Sequence, residues 1–339
     1  MRVGIFGGSF NPPHNGHINS LQTVHKKLGI DKIHVVPNMQ NPLKVPVEGP
    51  TPTQREEMVQ LALGGYGAAF EVDNQEIKRG GLSFTIDTVL AYRKTVKAED
   101  LYLIIGADNL ESFNEWKEYK KILTECNLIV TTRPGFQIPV DEEDLPGYLK
   151  DLVEEYDFNF LELKTGRNIQ FITLEDIEVA SSELRKSLRT GKSVQRHLPL
   201  PVENYIKEQG LYKPIGDRIG DFKKFADFCA QALFDKKAIS VLGYDLRELS
   251  APTEYSLVAS GTSTRHASSL AEHVADRVKE EYGVLPQGIE GVDEGRWVVL
   301  DYGSLMIHLF YDFVRIEYSI EKLWSGGKDL GLLDKSLKK

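Results

Sequence analysis

From residue 1 to about 213, short apolar runs alternate with stretches whose hydrophobic positions recur every three or four residues. The first run, Val3, Ile5 and Phe6, ends in Gly7-Gly8 and reads as a buried strand. After Pro12-Pro13 the period changes: Ile18, Leu21, His25 and Leu28 share one helical face, so a helix begins near His14 or Gly16. The same alternation predicts strands over 32–37, 70–77, 101–105 and 127–132. It predicts helices from a Thr53-Gln-Arg-Glu56 capping box to Gly64-Gly65, then over 84–93 and 113–126. Near-continuously apolar strands separated by helices imply α/β architecture with a doubly wound parallel sheet, whose ligands gather at strand carboxyl ends. Residues 136–164 are acidic and poorly periodic and read as a connection.

A Pro/Gly break at 213–220 interrupts this pattern, and a different one follows. Phe222, Phe225, Ala226, Cys229 and Leu233 form a helix face, 238–242 and 255–259 read as strands, and 265–282 is an amphipathic helix. Two apolar runs around Gly303-Ser304 read as a hairpin. The expected organisation is therefore a first domain over 1–213, a linker over 214–220, a smaller mixed α/β domain over 221–326 and a tail over 327–339. A chain of 339 residues is long for a single core and agrees with two domains.

Composition narrows the picture. Hydrophobic content of 41% with 27% charged residues describes an ordinary soluble protein, and a net charge of −9 argues against broad nucleic-acid binding. No apolar run reaches membrane-spanning length and the chain opens on a strand, so membrane association is not expected and a cytoplasmic location is. The two cysteines, Cys126 and Cys229, lie far apart in no metal-ligand spacing, which disfavours both a disulfide and a protein-held metal.

The chemistry concentrates where strands end. Strand, glycine turn and helix together present bare N–H groups and the positive end of a helix to one point, the arrangement of an anion site. Gly7, Gly8, Ser9 and Phe10 supply the turn; His14 and His17, three apart on the first helical turn, add two imidazole donors. The stretch is neither a Walker A loop nor a full Gly-x-Gly-x-x-Gly, and it lacks the His-Glu-x-x-His of zinc peptidases. A purely structural turn with two solvated histidines is the remaining plain alternative. Ser182 is a natural N-cap, and Arg185 lies in the first turns of the helix it opens, where an anion would sit.

Gly-Gly-Ser-Phe-Asn-Pro-Pro-His14-x-Gly-His17 resembles the signature of the nucleotidyltransferase superfamily with a His-x-x-His motif, and specifically the bacterial nicotinate-nucleotide adenylyltransferase family. The resemblance implies a Rossmann-like nucleotidyltransferase fold. It also implies AMP transfer from ATP, carried with Mg2+, to nicotinate mononucleotide, giving deamido-NAD and pyrophosphate. It implies catalytic roles for His14, His17, Lys44 and Arg185. ATP would meet Gly7, Gly8, Ser9, Phe10, Gly106, Asp108, Ser181, Ser182 and Arg185, and the acceptor would meet Thr85, Trp116 and Arg133. Each has an ordinary reading too: Lys44 as a solvated lysine, Thr85 as a helix cap, Trp116 as one member of a core stripe with Phe113 and Tyr119. Two departures stand out, Phe84 where the family often has tyrosine and Ala180 where it has the first serine of its Ser-rich motif.

The second domain carries no nucleophile-base pair and no glycine cradle. Its Ser-Gly-Thr-Ser-x-Arg265-His266, its Trp-x-Val-Leu-Asp301-Tyr-Gly and its His308-x-Phe, followed by Tyr318-x-x-Glu-x-Leu-Trp324, together resemble the ribosomal silencing factor (Iojap-like) family; Ser304 stands where aspartate is usual. That resemblance implies binding to a protein of the large ribosomal subunit and a block on subunit joining, with Arg265, His266, Asp301, His308 and Trp324 as contact residues. Asp301, His308 and Trp324 read equally as packing residues. An adenylyltransferase for another phosphorylated acceptor, or a ribosome-binding protein with a vestigial nucleotide sensor, are the competing functions.

Overall fold

The computed structural model describes residues 1–44, 46–132, 138–139, 141, 143–157, 159–175 and 180–334. They fall into two compact units, Met1–Lys44 with Pro50–Leu211, and Val45–Gly49 with Tyr212–Lys339.

The first unit is built on an eight-stranded sheet. Its strands are β1 (Val3–Gly8), β2 (Lys32–Pro37), β3 (Phe70–Val72), β4 (Leu101–Gly106), β5 (Asn127–Thr132), β6 (Val153–Asp157), β7 (Phe160–Leu163) and β8 (Asn168–Thr173). They lie in the order β3-β2-β1-β4-β5-β8-β7-β6. All neighbours pair in parallel from β3 to β8, and β7 and β6 continue the sheet antiparallel. The chain winds outward from β1 through β2 to β3, then crosses to β4 and winds the other way. The switch point of this doubly wound sheet thus lies between the carboxyl ends of β1 and β4, where a crevice forms. The strands feed both faces. Leu103 and Ile105 of β4 join one core with Ile86, Val89 and Phe113, while Tyr102 and Ile104 join the other with Leu21, Val24 and Val59.

Four local expectations give way. The strand expected over 70–77 stops at Val72, and helix Gln75–Arg79 follows. The second long helix is Pro52–Leu63, capped by Thr51 rather than Thr53. Thr51 Oγ1 accepts from the Gln54 N–H at 3.2 Å and Gln54 Oε1 from the Thr51 N–H at 2.9 Å, with Pro52 already holding a helical φ at the first position. The helix expected over 113–126 is broken, because Trp116 is extended and Glu118 has φ +54; only Tyr119–Glu125 is helical after it. The connection over 136–164 holds helix Gly147–Lys150 and the β6–β7 hairpin. β6 is the outer strand of the sheet, its pairing is irregular between Val153 and Glu155, and Glu154 and Glu155 are both exposed, so it shows little apolar pattern.

The second unit has a six-stranded mixed sheet of β9 (Ile239–Asp245), β10 (Tyr255–Gly261), β11 (Gly288–Glu290), β12 (Trp297–Asp301), β13 (Leu305–Tyr311) and β14 (Lys328–Asp329). The order is β11-β12-β13-β10-β9-β14, with β10 and β13 parallel at the centre. Helices Phe222–Asp235 and Thr264–Tyr282 cover one face through Phe225, Cys229, Leu233, Leu270, Val274 and Val278. On the other face Val258, Phe310, Ile320 and Trp324 form a smaller core. No helix among the described residues is long and apolar enough to cross a membrane.

His308 of β13 is buried on that second face. Its Nδ1 accepts from the Trp297 indole N–H at 3.3 Å and its ring lies 5.2 Å from that of Trp324. Burial pushes its pKa down to about 4, so the folded unit holds it neutral. The unfolded chain binds a proton near pH 6.5, so stability is complete above that value and is lost as pH falls towards the folded pKa. The total loss is about 3 kcal/mol. Urea unfolding of the second unit, followed by Trp297 and Trp324 fluorescence, should show a midpoint that falls between pH 6.5 and 4. In His308→Gln the fall should flatten, and an equal fall in both proteins would refute the assignment.

Candidate active site

β1 runs into Gly7-Gly8 at the switch point, and the chain turns through Phe10 at φ +46 before helix Asn15–Leu28 begins. Phe10 is 3% exposed, and its ring lies under Gly8, where an added Cβ would sit 3.1 Å from the ring. A side chain at position 8 would press on that ring, which would have to move by a few tenths of an ångström. The turn is thereby held with the amides of Gly8, Ser9 and Phe10 near the amino end of a 14-residue helix.

The two histidines meet at this helix start. Their ring centroids are 3.7 Å apart, tilted by 30°, and the His17 ring also lies edge-on to Phe10 at 5.1 Å. His17 Nδ1 accepts from the His14 backbone N–H at 3.1 Å. That bond assigns the neutral tautomer with hydrogen on Nε2, leaving one defined donor. Burial, then the neighbouring His14, hold the His17 pKa well below the usual histidine value. Without an anion beside it, His17 is therefore neutral. A cation there would lose hydration, repel its neighbour and clash with the His14 amide.

The far end of the unit reaches the same turn. Helix Ser181–Arg189 starts at an extended Ala180, so Ser181 and Ser182 occupy its first two positions and Ser182 is not the N-cap the sequence suggested. Arg185 Nη1 donates to the Asn11 carbonyl at 3.0 Å, across 174 residues of chain. The histidine helix is held from the same side, since the Asn15 N–H donates to the His197 carbonyl at 2.8 Å and Asn15 Nδ2 to that of Arg196 at 3.0 Å.

Across the switch point, β4 ends in Gly106. A Cβ there would lie 2.4 Å from Asp108 Oδ1, so glycine makes room for that carboxylate, which is exposed at the head of helix Ala107–Glu111. A carboxylate at such a strand end commonly accepts ribose hydroxyls. Lys44 is exposed in the loop after β2.

The expected acceptor segments come together. Thr85 opens helix Thr85–Arg93 behind Phe84, whose ring lies 4.4 Å below the Lys117 ammonium, next in sequence to Trp116. Trp116 is half-buried and packs on Phe113 at 4.9 Å, presenting its ring from an extended segment rather than from a helix. Arg133 lies outside the described residues. Among the described residues there is no group of three or more His, Cys, Asp and Glu side chains suited to a metal ion.

Sequence reading missed Arg55, Asn38 and Ser83. Arg55, 5% exposed, donates from Nη1 to the Ser9 carbonyl at 2.6 Å and Asn38 Oδ1 at 3.1 Å, and from Nη2 to the carbonyls of Asn38 at 2.6 Å and Met39 at 3.0 Å. Nothing local marks it, because its acceptors belong to two loops that meet only in the fold.

In the second unit most of the sequence candidates take part in structural contacts. His266 lies in the first turn of the helix that Ser263 caps; its Nδ1 accepts from the Thr262 N–H at 3.1 Å, and its Nε2 is 3.0 Å from the Lys236 carbonyl. Asp301 closes the hairpin turn by accepting from the Gly303 N–H at 2.7 Å. His308 and Trp324 are buried, and Arg265 is exposed.

Residues 5–187 match the family model described as cytidylyltransferase-like. A Pelobacter propionicus protein named "Probable nicotinate-nucleotide adenylyltransferase" is 36% identical over 214 residues, 62% of this chain and 98% of that protein. A Geotalea daltonii protein of the same name is 33% identical over 216 residues, again 62% and 98%. The chain belongs to the nicotinate-nucleotide adenylyltransferase family. Its first unit is accordingly a nucleotidyltransferase, and the glycine turn, histidine pair and Arg185 lie in or beside the segment that the cytidylyltransferase-like model covers. A solved nicotinic acid mononucleotide adenylyltransferase of Plasmodium falciparum, complexed with NaAD, is 19% identical and covers 62% of this chain and 97% of that one, at a TM-score of 0.49. Residues 220–338 match a second family model, described as ribosomal silencing factor during starvation.

Proposed function

We propose that the first unit transfers AMP from ATP to nicotinate mononucleotide. A phosphate oxygen of the acceptor attacks the α-phosphorus in line, the bond from that phosphorus to the bridging oxygen of the β-phosphate breaks, and pyrophosphate leaves as deamido-NAD forms. Such a transfer needs no covalent residue; alignment and stabilisation of charge on the phosphoryl oxygens suffice. The observation that carries this reading is the convergence of Arg185 on the Asn11 carbonyl, 3.0 Å away, in the turn that leads to the close pair His14 and His17. A cation, a helix start and two imidazoles then face one polyanion.

In this reading the amides of Gly7, Gly8, Ser9 and Phe10 and the hydroxyls of Ser181 and Ser182 hold the triphosphate, with His14, Lys44 and Arg185. His17 donates to the α-phosphate. Gly106 and Asp108 take the ribose, and Thr85 and Trp116 the pyridine carboxylate and ring, with Arg133 assigned to the acceptor from its sequence position alone. Magnesium arrives with ATP as part of the substrate. Offered ATP with nicotinate mononucleotide, nicotinamide mononucleotide, pantetheine phosphate or FMN, the protein should release pyrophosphate fastest with the first. Faster release with any other acceptor would overturn the substrate assignment.

We further infer that the second unit docks on a protein of the large ribosomal subunit and blocks subunit joining, which with ATP-dependent synthesis implies a cytoplasmic protein. The match over 220–338 supports this, together with an apolar surface on helix Asp312–Tyr318 and the turn after it. Phe313 and Ile316, one helical turn apart, are 72% and 73% exposed, and Leu323 is 75% exposed. Isolated apolar side chains need no explanation, but Phe313 and Ile316 lie one turn apart on their helix, and Leu323 adds a third exposed apolar side chain on the short helix Ile320–Trp324 that follows. The full-length chain should cosediment with large subunits, and the pair Phe313→Asp and Leu323→Asp should reduce the bound fraction at least about tenfold, as loss of buried anchors does. Undiminished binding would remove this surface from the reading.

A further inference from the structure

Two loops must keep a fixed relation if an acceptor phosphate is to face an α-phosphorus: the glycine turn after β1 and the segment Gly80–Thr85. They follow different strands, and the structure joins them through a third strip, Asn38-Met39-Gln40, which leaves the end of β2. On one side the Asn38 N–H donates to the Gly8 carbonyl at 3.0 Å and Asn38 Nδ2 to Ser9 Oγ at 3.1 Å. Arg55 binds the Ser9 carbonyl with one nitrogen and the Asn38 and Met39 carbonyls with the other. On the other side Ser83 Oγ accepts from the Met39 N–H at 2.9 Å and the Ser83 N–H donates to the Gln40 carbonyl at 2.9 Å. Met39 is therefore gripped at its carbonyl by Arg55 and at its amide by Ser83, two residues before Thr85.

The geometry points to Arg55 and Ser83 as positioning residues that hold the triphosphate turn and the acceptor segment in one frame through Met39. The inference rests on the proposed AMP transfer, since only a reaction between two separately held phosphates requires that frame. Both side chains are buried, Arg55 at 5% and Ser83 at 9% exposure, so they act on the loops and not on substrate. Arg55 suits the task because its planar fork satisfies several carbonyls in fixed directions, which an ammonium does not. Loosening such a frame misaligns the reacting atoms more than it weakens either substrate's own contacts, and misplacement on the scale of an ångström is worth about a hundredfold in rate.

In the full-length chain, Ser83→Ala removes one bond to Met39 and touches nothing at Ser9. Amides of residues 8–10 should nevertheless exchange hydrogen about fivefold faster, because local opening is shared along a bonded unit. The kcat for nicotinate mononucleotide should fall about tenfold with the KM for ATP within about twofold, and Arg55→Ala should lower kcat about a hundredfold. The double variant should be no slower than Arg55→Ala, since both act through one peptide. Losses that multiply, or unchanged exchange at residues 8–10 in Ser83→Ala, would overturn the frame. A wild-type chain inactive towards nicotinate mononucleotide would overturn the proposed activity instead, and the exchange measurement would still decide the frame.

Discussion

His17→Ala should lower turnover by about 10²- to 10³-fold, the cost of removing one well-placed donor from a site where charge develops, with little change in thermal stability. The expectation follows from how the ring is held. Its Nδ1 is occupied by the His14 N–H at 3.1 Å, so Nε2–H is the only donor it can offer. Phe10 lies edge-on beneath it and His14 lies against it, so the ring can do little else. Because burial and His14 keep it neutral, it donates without a cation having to be stripped of water before substrate binds. The folded state gives up one hydrogen bond in the variant, about 1 kcal/mol, which should leave its melting near that of the parent. Pyrophosphate release and thermal unfolding measured side by side decide the matter. Turnover within a few fold of wild type in a folded variant would remove His17 from the reaction.

Arg185→Ala should cost about 10- to 100-fold in kcat/KM for ATP, the value of a charge-assisted hydrogen bond of roughly 1.5–3 kcal/mol. Two effects combine. The guanidinium supplies a positive charge at the amino end of its helix, and its bond to the Asn11 carbonyl steadies the turn that carries Ser9 and Phe10. Arg185→Lys should recover part of the loss, since charge survives while the planar fork does not. KM for ATP should rise more than KM for nicotinate mononucleotide, because Thr85 and Trp116 are untouched. Equal kinetics towards ATP in Arg185→Ala and wild type would mean that the convergence of the two ends has no bearing on the triphosphate.

Much of this was legible in the chain because it is local. β2 and β5 have the expected bounds, since an apolar run between turn residues carries its own signal. Trp116 shows where periodicity misleads: Phe113, Trp116 and Tyr119 have helical spacing, yet the αL backbone of Glu118 interrupts the helix, and the stripe packs through ring contacts instead. The β6–β7 hairpin was invisible for the opposite reason, an edge position that requires little apolar pattern.

The alternation of the first strands and helices, the glycine turn with its histidines and the kinship of both halves could be read directly from residue order, because periodicity, turn chemistry and motif spacing act over a few neighbouring positions. The tertiary structure alone decided that Arg185 meets Asn11, that His17 is held neutral and that Arg55 lies buried behind Ser9 and Met39. Those outcomes depend on groups brought together across 174 and 46 positions by sheet winding, and on the water that winding excludes, neither of which any local stretch encodes.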